Sequence, residues 1–139
     1  MTYIPEALRR LVAQRAGGRC EYCRLHEDDA FFTHEVDHIY AEKHDGPTAE
    51  GNLCLACADC NRNKGSDICS LDPETGDIVA LFHPRRERWA EHFQLADTGV
   101  IEPRTATGRV TVRLLRVNRL DLVAERARLV ALGRYAAET

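Results

Sequence analysis

No apolar run in this 139-residue chain extends beyond a few positions, far short of the roughly 20 that a membrane helix needs. A spanning helix is excluded on that ground, and no membrane partner is expected. The opening stretch MTYIPEALRRLV lacks the apolar core of a signal peptide, so a cytoplasmic location is expected. A strong charge of one sign is also missing. The net charge of −3 does not suit a generic basic coat for nucleic acid. There is no internal repeat, no low-complexity tract and no long linker.

What remains is 44% hydrophobic and 29% charged, the composition of a soluble globular chain. The length suits one domain with or without an appendage. Charge is uneven along it. Residues 1–69 carry 8 Lys and Arg against 12 Asp and Glu, and residues 70–139 carry 11 against 10. An acidic first half does not exclude DNA, because carboxylates that hold a cation recruit phosphate through it.

Six cysteines mean disulfides or metal, and under the reducing conditions expected here metal is the better reading. Four of them form two pairs, Cys20-x2-Cys23 and Cys57-x2-Cys60. Four thiolates in a tetrahedron suit zinc, and the x2 spacing lets each pair bite one ion. The 33 residues between the pairs exceed the gap of an ordinary zinc ribbon, so something is inserted there. Cys54 is expected as a small buried residue on a strand, with a competing ligand as the alternative. Cys69 reads as a free thiol.

The insert holds the chemistry-bearing residues. Within EVDHIYAEKHDGPTAEGNLCLACADCNRNKG, Glu35–Ile39 and NLCLA read as short strands. EKHDGPTAEG reads as a loop, and DCNRNKG as a short helix stopped by Gly65. A zinc sealed by four thiolates has no open position, so catalysis would need other groups. His38 is the best general base by residue type. Asp37 is a hard oxygen ligand suited to Mg2+ or Mn2+. Asn52 is placed to tie down the loop, and Asn61, directly after Cys60, has its direction set by the metal-braced helix start. Alternation along a strand would send Asp37 and His38 to opposite faces, so the strand must end or bulge there.

Cys20, Cys23, VDHI, GNL, C-x-x-C-N and KG together resemble the HNH endonuclease family in its zinc-braced ββα-metal form, over residues 20–65. By position His38 matches the first residue of the family's name and Asn52 the second. Asn61 stands where the third, often a histidine, is found. The resemblance implies an α+β fold: an HNH ββα-metal finger braced by a four-cysteine zinc site, with an N-terminal helix over residues 1–69. A C-terminal extension of hairpins and helices over 70–139 is expected to pack on the same domain. It implies hydrolysis of DNA phosphodiesters to 5′-phosphate and 3′-hydroxyl ends. His38 would take a proton from the attacking water, with Asn52 counted in the catalytic set. A divalent ion, Mg2+ or Mn2+, would be held by Asp37 and Asn61, and structural Zn2+ by the four cysteines.

Alternatives stay beside these readings. A non-catalytic zinc-dependent nucleic-acid-binding module of the same fold competes with the enzyme, and the joint presence of Asp37, His38 and Asn61 favours the enzyme. Arg62 and Lys64 are phosphate contacts or simply solvated. Arg85 and Arg86, beside Trp89, are a backbone-binding cluster or a solvated turn. His34 is a candidate to support the site from behind.

Helix expectations are Pro5–Ala16, Thr107–Val117 and Arg119–Arg134, the last with a stripe of Leu120, Val123, Ala127 and Val130. Leu71–Phe82 reads as a hairpin, and a second is expected from Arg88 to Glu102.

Overall fold

Pro5 opens the first helix, where its missing N–H costs nothing. Helix α1 runs Glu6–Arg15 in a computed structural model that describes residues 3–135. Its apolar face, Leu8, Val12, Ala13 and Ala16, packs with Ile4 on Leu53 and Leu55. Arg15 pins the helix by donating to the carbonyls of Glu50 and Leu53. Leu11, on the same helix, is exposed.

The chain falls into two units, one ending at Asp67 and the other beginning at Ile68. In the first, β1 (Glu35–His38) pairs antiparallel with β2 (Leu53–Ala56), setting Asp37 opposite Cys54 and His38 opposite Leu53. All of β2 is buried, which needs cover on both faces. Leu53 and Leu55 meet α1. Cys54, pointing the other way, meets the Tyr22 hydroxyl. The loop around Tyr22 is stitched to β2: Glu21 donates its N–H to the Leu55 carbonyl, and the Glu21 carboxylate accepts the Leu55 N–H. Helix α2 (Ala58–Lys64) follows β2 directly. Gly65 ends it at φ 52°, a left-handed backbone that a side chain would strain.

The second unit holds two hairpins, β3 (Cys69–Leu71) with β4 (Ile78–Ala80) and β5 (Phe93–Leu95) with β6 (Ile101–Pro103). A helical turn α3 (Trp89–His92) stands where the second hairpin was expected to begin. Trp89 and Phe82 both pack against Phe93, and Trp89 is buried. Helix α4 (Ala106–Leu115) is capped by the Thr105 hydroxyl, which accepts from the Gly108 N–H.

Helix α5 (Leu120–Ala131) departs from the expected stripe. Leu120 is 87% exposed, while Arg126 and Leu129 are buried. Arg126 is accommodated because its guanidinium donates to the carbonyls of Gly99 and Val117. Among the described residues no helix is long and apolar enough to cross a membrane.

Candidate metal centre and the adjoining polar pocket

The sulfurs of Cys20, Cys23, Cys57 and Cys60 lie within 4.8 Å of one another, and all four residues are buried. Cys23 Sγ and Cys57 Sγ are 3.8 Å apart, about the edge of a tetrahedron with metal–sulfur bonds near 2.3 Å. Two backbone N–H groups already point at sulfur, Cys23 onto Cys20 and Cys60 onto Cys57, each at 3.4 Å. Burial opposes ionisation of Cys20. Hydrogen bonds from Cys23, Cys57 and Cys60 outweigh it and hold that thiol well below its usual range. Cys57 and Cys60 are pushed well up, first through their hydrogen bonds with Cys20. Four buried sulfurs at this spacing, two of them already accepting backbone N–H groups, are positioned to bind a metal such as zinc. Cys57 Sγ also caps α2, so an atom positioned to bind a metal also sets the helix start.

Cys54 is outside this cluster. It is fully buried, its thiol is raised by burial, and it contacts Tyr22, as expected for a strand residue. Cys69 is an exposed free thiol on β3.

One pocket of about 530 Å³ is lined by Asp37, His38 and Asn61, together with Arg9, His34 and Glu42 among others. β1 ends at His38, one of the two outcomes expected there. Strand alternation puts Asp37 on the Cys54 face and His38 on the Val36 face, and both line the pocket at the strand's end.

Burial raises the Asp37 carboxyl above its ordinary range, against the pull of the Lys64 ammonium. Lys64 is only 2% exposed. Its Nζ lies 3.4 Å from Asp37 Oδ2 and 3.2 Å from the His38 carbonyl. Lys64, read as a phosphate contact or a solvated side chain, instead makes internal contacts: the last turn of α2 carries the side chain to β1 rather than into solvent. Arg62 is exposed and paired with Asp59 at 2.7 Å, a surface pair that water largely screens. Arg85 and Arg86 belong to the second unit, in a turn whose N–H groups donate to His83 Nδ1.

Asn52 is buried and makes three hydrogen bonds. Its Oδ1 accepts the Tyr40 N–H, and its Nδ2 donates to the carbonyls of Tyr40 and Pro47. It ties down the loop after β1 and is not among the residues that line the pocket. His34 is buried, and Nε2 lies 2.8 Å from the Leu25 carbonyl, which accepts only. Nε2 therefore carries the hydrogen, and Nδ1 is buried without a partner.

Two residues at the site escaped the sequence reading. Arg9, on α1, reaches the pocket with its Nε tied to the Ile4 carbonyl; helical spacing marked its apolar neighbours and carried no sign of it. Thr48 sits in the loop, its hydroxyl 2.8 Å from His38 Nε2; only loop closure brings it there.

Residues 20–67 match the model of the HNH endonuclease family. The chain is also similar to Septu protein PtuB of Bacillus mycoides (strain KBAB4), 24% identical over 154 aligned residues that cover 91% of this chain and 52% of the relative. It is 24% identical to Septu protein PtuA of the same strain over 149 residues, covering 88% of this chain and 20% of that one. The chain thus spans about half the length of the first relative and a fifth of the second. No solved structure matches.

Proposed function

We propose that this chain, through its HNH segment, is a metal-dependent endonuclease that hydrolyses DNA phosphodiester bonds. The observation that carries the reading is that Asp37, His38 and Asn61 line one pocket inside the segment that matches the HNH model.

His38 is the general base. A water in the pocket gives it a proton and attacks the phosphorus; the bond to the 3′ oxygen breaks, leaving 5′-phosphate and 3′-hydroxyl ends. Asp37 and Asn61 offer two hard oxygen donors, a set that suits Mg2+ or Mn2+ with substrate and water completing the shell. Such an ion, when bound, supplies Lewis-acid stabilisation of charge on the phosphate. Asn52 acts by holding the loop that borders the base. Arg9 at the pocket rim and the exposed Arg62 are the phosphate contacts of this unit. The cysteine centre, loaded with zinc, keeps α2 and Asn61 in place and takes no part in the chemistry.

One observation favours a second reading, a nucleic-acid-binding module without chemistry. Lys64 already sets a positive charge against Asp37, and that charge competes with a divalent ion for the carboxylate.

Supercoiled plasmid incubated with the protein separates the two. The enzyme converts it to nicked or linear form with Mg2+ or Mn2+ and not with chelator, and His38→Ala abolishes the conversion while metal content and melting persist. If the parent protein binds DNA and leaves the plasmid intact under every divalent ion, the binding module is the correct reading.

A further inference from the structure

Phe31 and Phe32 stand side by side in the loop before β1, 94% and 65% exposed. Their ring centroids are 5.0 Å apart and their planes cross at 71°. Single apolar side chains at a surface are ordinary, but an adjacent aromatic pair left in water marks a place where something docks. The rings are held there by a loop that is tied on both sides. Before them, the Glu27 N–H donates to the Gly18 carbonyl and the Ala30 N–H to the Glu27 carbonyl. After them, the His34 N–H donates to the Glu27 carboxylate at 3.0 Å, and His34 Nε2 lies 2.8 Å from the Leu25 carbonyl.

Their place and their surroundings identify the ligand. Thr33 and His34, the next two residues, line the pocket that holds Asp37, His38 and Asn61, so the rings stand at its rim. Charge divides along the same segment. Glu27, Asp28 and Asp29 precede the rings and repel a phosphate backbone, while Arg9 in the pocket lining attracts one. A strand whose backbone enters the pocket therefore meets the rings with its bases. The two rings offer about 300 Å² of apolar surface. That is well under the roughly 800 Å² that a stable protein interface takes from each partner, and it suits the faces of one or two bases.

We propose that Phe31 and Phe32 form a stacking platform for unpaired bases, and that the pocket prefers DNA with a single-stranded stretch beside the bond it cuts. In a paired duplex each base face is already covered by its neighbours, and a ring that enters must first unstack them. An unpaired base offers its face without that cost. Every base has such a face, so the platform selects the state of the strand and not its sequence. This rests on the reading of the pocket as a nuclease site and adds the class of DNA that it takes.

The test uses the full chain, zinc-loaded and without added Mg2+ or Mn2+, at one salt concentration. Fluorescence anisotropy compares a labelled single-stranded oligonucleotide carrying 2-aminopurine with the blunt duplex of the same sequence. The parent should bind the single strand more tightly and quench the 2-aminopurine by stacking on it. Phe31→Ala and Phe32→Ala should each weaken single-strand binding about tenfold and relieve the quench, with duplex binding, zinc content and melting as in the parent. Phe31→Trp should keep both signals. Single-strand affinity unchanged in both alanine variants overturns the platform, as does a parent that holds the duplex as tightly as the single strand. A parent that sediments as a dimer, with the dimer lost in Phe31→Ala, also overturns it by assigning the rings to a second copy of the chain. Plasmid cleavage with Mg2+ or Mn2+ is read separately. A parent that cuts, with alanine variants that bind DNA as it does, removes the platform and leaves the nuclease. A parent that cuts nothing but quenches through Phe31 removes the nuclease and leaves the platform.

Discussion

The Lys64 ammonium lies 3.4 Å from the Asp37 carboxylate, with the lysine side chain 2% exposed and the aspartate 15%. A buried ammonium is tolerated only with partners, and Asp37 with the His38 carbonyl supplies them. Removing Lys64 would leave Asp37 as an uncompensated charge in a poorly solvated place. Lys64→Met should therefore destabilise the first unit by about 2–4 kcal/mol. Adding Asp37→Asn should recover part of that loss, because the pair is then absent rather than broken. Denaturant melts of the two variants check this; a Lys64→Met protein that melts like the parent shows the pair to be incidental.

Cys60 is both a member of the sulfur cluster and a residue of the first turn of α2. Its replacement should remove the metal and loosen the unit together, since metal binding and folding are coupled in sites of this kind. Cys60→Ser should bind less than one equivalent of zinc and lose the melting transition of the first unit. A chelator should do the same to the parent. Cys69→Ser, at an exposed position, should leave both unchanged.

Gly46 meets backbone, which cannot rotate away as a side chain would. A Cβ would stand 1.8 Å from the Tyr40 oxygen and 2.8 Å from Asn52 Nδ2. Gly46→Ala should cost about 1–3 kcal/mol through overpacking and displace the loop that carries Thr48. The stability is read by chemical denaturation, and the displacement by the His38 ring signals moving while the zinc content holds.

Asp72 in the second unit accepts a two-pronged pair of hydrogen bonds from Arg109, Nε at 2.9 Å and Nη2 at 2.8 Å. Arg109 first, then the Glu74 N–H, holds its carboxyl well below the usual carboxylate range. A depressed folded value means stability that is present above the unfolded value, about 3.9, and lost as the pH falls from there toward the folded one. Asp72→Asn should thus melt earlier than the parent at pH 7. The two melting temperatures should converge as the pH drops below about 4. Curves that stay parallel through that range would remove Asp72 from the acid response.

Local spacing made part of this protein legible in the sequence. A CxxC pair closes a knuckle over a few residues, and a Gly after a helical run ends it, so the sulfur centre, the strand–loop–strand–helix order and the tie of Asn52 to the loop could all be anticipated. Both later hairpins and both C-terminal helices were also visible in turn residues and apolar periodicity.

Other features were settled only when elements met in space. Lys64 and Arg62 look alike in sequence, and one is buried under β1 while the other is in water, because α2 lies against the sheet along one side only. Arg126 is buried in α5 while Leu120 is exposed, since the carbonyls of Gly99 and Val117 give the guanidinium its partners. Thr48 comes to His38 across ten residues of loop. Such contacts depend on how a chain closes on itself, and periodicity and propensity, which act over one or two turns, carry no record of that closure.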